Sequence, residues 1–378
     1  MSEIAKQVKV VVELGLAPLL REARGRLQIV GFCKGMADSV ISQNIFRSVS
    51  HGLQTVGPVG IVCALFFAIL MPSVQNSPVF AAQKKTERPA WCKDLPRNEY
   101  KSLERVRVKD RWFEVYKVAP GVLALYEPHQ SEETIGFLIL GTTKALLFDT
   151  GMGIGDVKKV TAKLTKLPVL VLNSHTHDDH VGDNWQFDTV LGMDSDFTRT
   201  NAKGSREDAQ AEIAPGEVCG ELPKDFDAKS YATKPWKISG TVRDGEKLDL
   251  GGRTLEIIAT PGHTPDAISL LDRHNGLLFT GDTYYPGTIW LYRAETDFDA
   301  YATSIERLSA LVPQLKLVLG AHNIPVAQPS VLPQLVEAFA AVRAGRAACK
   351  PVNVKQRECT AYSISFLLPP NLPVVHSQ

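Results

Sequence analysis

Six consecutive residues constrain this chain more than any other stretch: His175-Thr176-His177-Asp178-Asp179-His180. Four of the six side chains can bind a divalent metal, in the spacing His-x-His-x-Asp-His. Imidazole and carboxylate are the donors that zinc and its neighbours take. A solvated turn gains nothing from three histidines this close together, and a core would have to satisfy every one of their nitrogens. The run follows Pro168-Val-Leu-Val-Leu-Asn173, a short apolar stretch of the kind that forms a buried strand. The histidines therefore fall in the loop beyond a strand's C-terminal end. A layered α/β protein places chemistry there because the sheet holds the loop rigid.

The same arrangement recurs downstream. Leu255 to Ala259 reads as a strand and runs into Thr260-Pro-Gly-His263. Gly276 to Thr280 ends at Gly281-Asp282, and Leu315 to Leu319 ends at Gly320-Ala-His322. Glycine beside each donor lets the backbone turn sharply and approach closely. Each of these alone reads as a turn; in this order, behind the histidine run, they supply the donors that a two-ion site needs.

Further strands are expected at 112–118, 122–126, 136–140, 144–148, 241–242 and 267–271, and helices at 156–164, 298–311 and 331–344. Strands, then a helix, then strands again suggest two sheets with helices outside them. Residues 194–237 are polar and loop-rich, an insertion suited to a lid or substrate wall. Residues 83–105 carry charge and proline and read as a linker, 106–345 as the catalytic domain, and 346–378 as an extended tail packing on it.

Residues 1–82 form a separate leader. Val59 to Met71 is apolar except for Gly60, too short for the about 20 residues of a comfortable membrane span. Small residues follow up to Ala81-Ala82, which fits a signal-peptidase site, although the long stretch before the apolar run is unusual. An uncleaved anchor or a core helix is the alternative. A cleaved signal would make the protein periplasmic or secreted, with no stable membrane anchor. It would leave Cys92, Cys219, Cys349 and Cys359 in an oxidising compartment, where three disulfide connectivities are open. Lys plus Arg is 42 against 41 for Asp plus Glu, so bulk charge gives no reason to expect a nucleic-acid partner.

The order Leu146-Leu-Phe-Asp149-Thr-Gly, His175 to His180, Thr260-Pro-Gly-His263, Thr280-Gly-Asp282 and Gly320-Ala-His322 resembles the metallo-β-lactamase superfamily. The resemblance implies a four-layer αββα sandwich with its site at one edge. It implies that His175, His177 and His263 hold one ion, that Asp179, His180 and His322 hold a second, and that Asp282 bridges them. Asp149 would orient these donors from behind. Two Zn2+ are implied, with iron or manganese as alternatives, and a bridging hydroxide oriented by Asp179 as nucleophile.

The expected substrate is a small ester, lactone, thioester or β-lactam. Tyr285 lies three residues after Asp282, as a catalytic tyrosine does in the acyl-homoserine lactonases of the superfamily. Its hydroxyl is a candidate donor to a developing oxyanion, or else one of a pair of aromatics lining a turn. Trp290, Leu291 and Tyr292 line an acyl pocket or belong to the core. A di-iron redox protein and a phosphodiester-cleaving nuclease are the other readings. The first lacks room for a flavin domain, and neutral charge and export count against the second. Oligomeric state is not readable.

Overall fold

The computed structural model describes residues 88–371; the leader, with its apolar run, lies outside them. Strands β1 (Glu104–Val106), β2 (Glu114–Ala119), β3 (Val122–Tyr126), β4 (Ile135–Leu140), β5 (Ala145–Phe148), β6 (Val169–Leu172), β7 (Val190–Met193) and β8 (Gly240–Val242) form one sheet in sequence order. Pairing is antiparallel up to β5 and parallel from β5 to β8. Strands β9 (Lys247–Asp249), β10 (Thr254–Ala259), β11 (Ile268–Asp272), β12 (Leu277–Gly281) and β14 (Leu317–Gly320) form a second sheet, in which β12 and β14 run parallel.

The two sheets pack face to face because their strands are apolar on both sides. Phe137, Leu146 and Phe148 meet Ile257, Leu270 and Phe279 in the layer between the sheets. Residues one position along point outward: Leu138 and Leu147 against helix α1 (Val157–Leu164), Leu271 and Leu278 against the helices on the far side. With α2 (Asp178–Val181), α3 (Asp196–Asn201) and α4 (Glu207–Glu212) in the loops of the first sheet, those helices are α5 (Phe298–Ser309) and α6 (Val331–Arg343). The order is helix, sheet, sheet, helix: the αββα sandwich expected.

Two segments differ from the sequence reading. Residues 88–105 are not a linker. Cys92 and Tyr100 are buried, Tyr100 stacks on Tyr126 with ring centroids 4.4 Å apart, and Arg97 pairs with the buried Glu133. The prolines there sit beside 3-10 turns, with Pro89 at the start of the first, rather than in a free chain. The tail is extended but forms strands of its own: β15 (Ala348–Asn353), β16 (Gln356–Ala361) and β17 (Ile364–Leu368) make an antiparallel meander. β17 pairs in parallel with β13 (Thr288–Trp290), completing a third sheet. Cysteines pair as Cys92–Cys219 and Cys349–Cys359. Among the described residues no helix is long and apolar enough to cross a membrane.

Candidate metal centre

Five loops leave the C-terminal ends of β5, β6, β10, β12 and β14, and each carries a residue singled out above. They converge. Nε2 of His175 and Nε2 of His263 lie 3.0 and 3.1 Å from Nδ1 of His177. The remaining nitrogen of two of these rings faces an acceptor: His263 Nδ1 donates to the Trp290 carbonyl at 2.8 Å, and His177 Nε2 to Glu295 at 2.8 Å. His175 Nδ1 lies 3.1 Å from the Ser174 hydroxyl. Those outer bonds leave the inner nitrogens of His177 and His263 as lone-pair acceptors facing each other.

The second group is His180, Asp282 and His322, with Asp179 beside it. His322 Nε2 lies 3.1 Å from Asp282, while its Nδ1 donates to the Glu132 carbonyl at 2.7 Å. His180 Nε2 lies 2.9 Å from Asp179 and 3.4 Å from Asp282. Behind it, Asp149 lies 3.1 Å from His180 Nδ1 and accepts from the Ser174 amide at 2.7 Å. Asp282 reaches both groups, being 3.6 Å from His263.

Divalent ions fit these residues. Nitrogens about 2.0–2.1 Å from one tetrahedral ion lie roughly 3.3 Å apart, close to the spacing in the first group. In the second, His180 Nε2 and Asp282 Oδ1 are buried with no well-aligned hydrogen-bond partner, a costly state that a cation relieves. Electrostatics divide the two groups. Burial and the neighbouring histidines push His175 down, and burial above all pushes His263 down to about 4. Burial opposes charge on His322 as well, but Asp282 and Asp179 outweigh it and raise the ring to about 9. For Asp282 burial is overcome by His322 and His180, which hold the carboxyl down at about 2.

The sequence between 136 and 322 matches the family model of the metallo-beta-lactamase superfamily, and that span contains all seven donors. This chain is an enzyme of the metallo-β-lactamase superfamily. Human acyl-coenzyme A thioesterase MBLAC2 is 24% identical over 200 residues, covering 49% of this chain and 71% of that protein. The hydroxyacylglutathione hydrolase of Methylococcus capsulatus is 29% identical over 156 residues, 40% of this chain and 47% of that enzyme. A crystal structure of an archaeal superfamily protein from Sulfolobus tokodaii aligns at 22% identity with TM-score 0.41, covering 57% of this chain and 85% of that one.

One expectation drawn from the superfamily is corrected. Tyr285 lies beside the centre, its ring centroid 4.7 Å from that of His322. Its single O–H donates to the Thr288 carbonyl at 3.0 Å, and its oxygen accepts from the Trp290 amide at 3.1 Å. No proton is left for an oxyanion; the hydroxyl braces β13 instead. Tyr285→Phe should therefore change kcat less than about threefold, where loss of an oxyanion donor costs about 100-fold or more. It should lower stability by about 1–2 kcal/mol through the stranded amide. A hundredfold fall in kcat with an unchanged melting temperature would reinstate the catalytic role. Leu291 is core, whereas Trp290 lines a cavity of about 320 Å³ with Glu132, Tyr285 and His322.

Two positioning groups escaped the sequence reading: Glu295, which fixes the tautomer of His177, and the Trp290 carbonyl, which does so for His263. The insertion at 194–237 borders the donor groups. Phe197, Asn201 and Asp208 line a cavity of about 290 Å³ with His177, Arg293 and Glu295. The insertion is pinned to the loop after β3 by Ser131 N donating to the Glu217 carbonyl at 2.9 Å and Cys219 N donating to the His129 carbonyl at 2.7 Å, and to the N-terminal turn Ala90–Asp94 by Cys92–Cys219.

Proposed function

We propose that this member of the superfamily is a two-ion metallo-hydrolase of acyl thioesters. The observation that carries the reading is the pair of donor groups, one of three imidazoles and one of imidazole and carboxylate, joined through Asp282. Two divalent ions bound there would lower the pKa of a water toward neutrality and polarise the substrate carbonyl. The protein's own part is orientation. Glu295, the Trp290 carbonyl and the Glu132 carbonyl fix three histidines in one tautomer each, and Asp149 braces a fourth. Asp179 is placed to accept a hydrogen bond from the attacking water. Burial works against charge on Asp179, yet His180 and His322 hold its carboxyl far below the usual range. So weak a base carries no proton near neutral pH to hand to a departing amine, and it suits a leaving group that departs as an anion, which a thiolate does.

Two relatives carry thioester-cleaving names, MBLAC2 and hydroxyacylglutathione hydrolase, and they support this substrate class. Two cysteine pairs within bonding reach support export to an oxidising compartment. The test is a panel with the metal-loaded full chain: an acyl-coenzyme A, nitrocefin, a homoserine lactone and a phosphodiester. The thioester should be hydrolysed with the highest kcat/KM by at least tenfold; a tenfold preference for lactam or lactone would overturn the reading.

Metal loading should depend on pH more steeply at one position than at the other. A histidine nitrogen must shed its proton before it binds a metal. His263, at about 4, is already free at pH 6, whereas His322 holds a proton until about 9. Affinity of the second ion should therefore rise more steeply from pH 6 to pH 9 than that of the first, with proton release. Calorimetric titration of the metal-free chain at several pH values checks this; equal pH dependence at both positions would contradict it.

A further inference from the structure

Glu132 lies on the loop between β3 and β4, outside the donor motifs. Its backbone is fixed twice: the amide donates to Gln130 Oε1 at 2.6 Å, and the carbonyl accepts from His322 Nδ1 at 2.7 Å. These bonds carry its side chain to the centre. A carboxylate oxygen of Glu132, one of Asp179 and a ring nitrogen of His322 all lie within 4.8 Å of one another. Among the described residues no side chain donates a hydrogen bond to this carboxylate, and its surroundings include Glu212, Asp179 and Asp282. Carboxylates gathered in a buried place are costly unless a cation joins them. The buried His180 Nε2 and Asp282 Oδ1, also without an aligned partner, lie in the same group.

We propose that Glu132 is a further ligand of the ion held by His180, His322, Asp179 and Asp282. This rests on the two-ion reading above. The position then offers two imidazole nitrogens and three carboxylates, against three imidazoles and the shared Asp282 at the other. Imidazole suits zinc, whereas carboxylate oxygen suits harder ions such as manganese(II). The chain accordingly carries two unlike positions, and Glu132 shifts the second toward manganese or iron(II) relative to zinc.

The test uses the full chain, freed of metal with a chelator and titrated separately with Mn2+ and Zn2+. Stoichiometry is followed by elemental mass spectrometry, affinity by calorimetry, and Mn2+ pairing by electron paramagnetic resonance. Wild type should bind two ions, with Mn2+ competing better at one position than at the other. Glu132→Gln should weaken Mn2+ at that position at least about tenfold, leave the other unchanged and reduce the paired-manganese signal. Two ions bound with unaltered affinities in Glu132→Gln would overturn the role of Glu132 while leaving the two-ion reading intact. A single ion in wild type would overturn both. Should Glu132→Gln lose both positions through misfolding, Glu132→Asp decides: selective weakening supports the role, and wild-type behaviour overturns it.

Discussion

His175→Ala is expected to abolish hydrolysis, lowering kcat/KM by at least about 10³-fold, a loss of about 4 kcal/mol of transition-state stabilisation. The ring supplies one of three nitrogens that meet there, Nε2 of His175 and of His263 both lying within 3.1 Å of His177 Nδ1. Its removal leaves two imidazoles and an open side, too few to retain an ion against bulk water. His175 is also packed against His180, with ring centroids 4.1 Å apart, so the void reaches the second donor group. Elemental analysis should show the loss of about one ion per chain alongside the activity. His274, exposed on the turn after β11, is the control, and its alanine variant should behave as wild type. Activity of His175→Ala within tenfold of wild type would sink metal catalysis altogether.

Gly262→Ala should be among the most damaging single methyls in the described chain. Gly262 precedes His263 and has φ 143°, a conformation essentially reserved for glycine. A β-carbon there would also lie 2.4 Å from Tyr301 Cα and 2.5 Å from Tyr301 N, which is backbone in α5 and cannot swing aside. Asp297, which caps that helix, donates its amide to the Gly262 carbonyl at 2.8 Å, so turn and helix are fastened together. Strain and overpacking together should cost about 3 kcal/mol or more, a fall in Tm of about 6–12 °C for a domain of this size. Gly216→Ala is the comparison, since Gly216 has φ 104° but nothing within 4 Å of an added β-carbon. Thermal melts showing equal losses for the two variants would refute the packing argument.

Both effects trace to features legible in the sequence. The apolar runs at 136–140, 169–172 and 276–280 signalled strands because those strands are covered on both faces. The donors stood out because each follows such a run with glycine or histidine beside it. The edge of the meander at 348–368 was hidden for the opposite reason: every residue of β15 is exposed, so no alternation of apolar and polar residues marks that strand. Glu295 and Glu132 are acids in polar stretches with no motif around them, and only contacts with residues more than a hundred positions away give them meaning. Tyr285 stood between two readings because spacing from Asp282 says nothing about where a hydroxyl proton goes. The stretch 88–105 misled because proline and charge describe a turn-rich edge as well as a free chain.

The pairing of β13 with β17 joins the end of the chain to its chemistry. Trp290 lies opposite Leu367, and the Leu291 amide donates to the Leu367 carbonyl at 2.8 Å, while the Trp290 carbonyl aims His263. Proteolytic clipping ahead of Ile364 would therefore release the strap that steadies a histidine about a hundred residues upstream. Such a nicked enzyme would keep every donor and most of its sandwich yet lose its grip on an ion, so intact C-terminal mass is the quality control that any preparation should meet before its activity is judged.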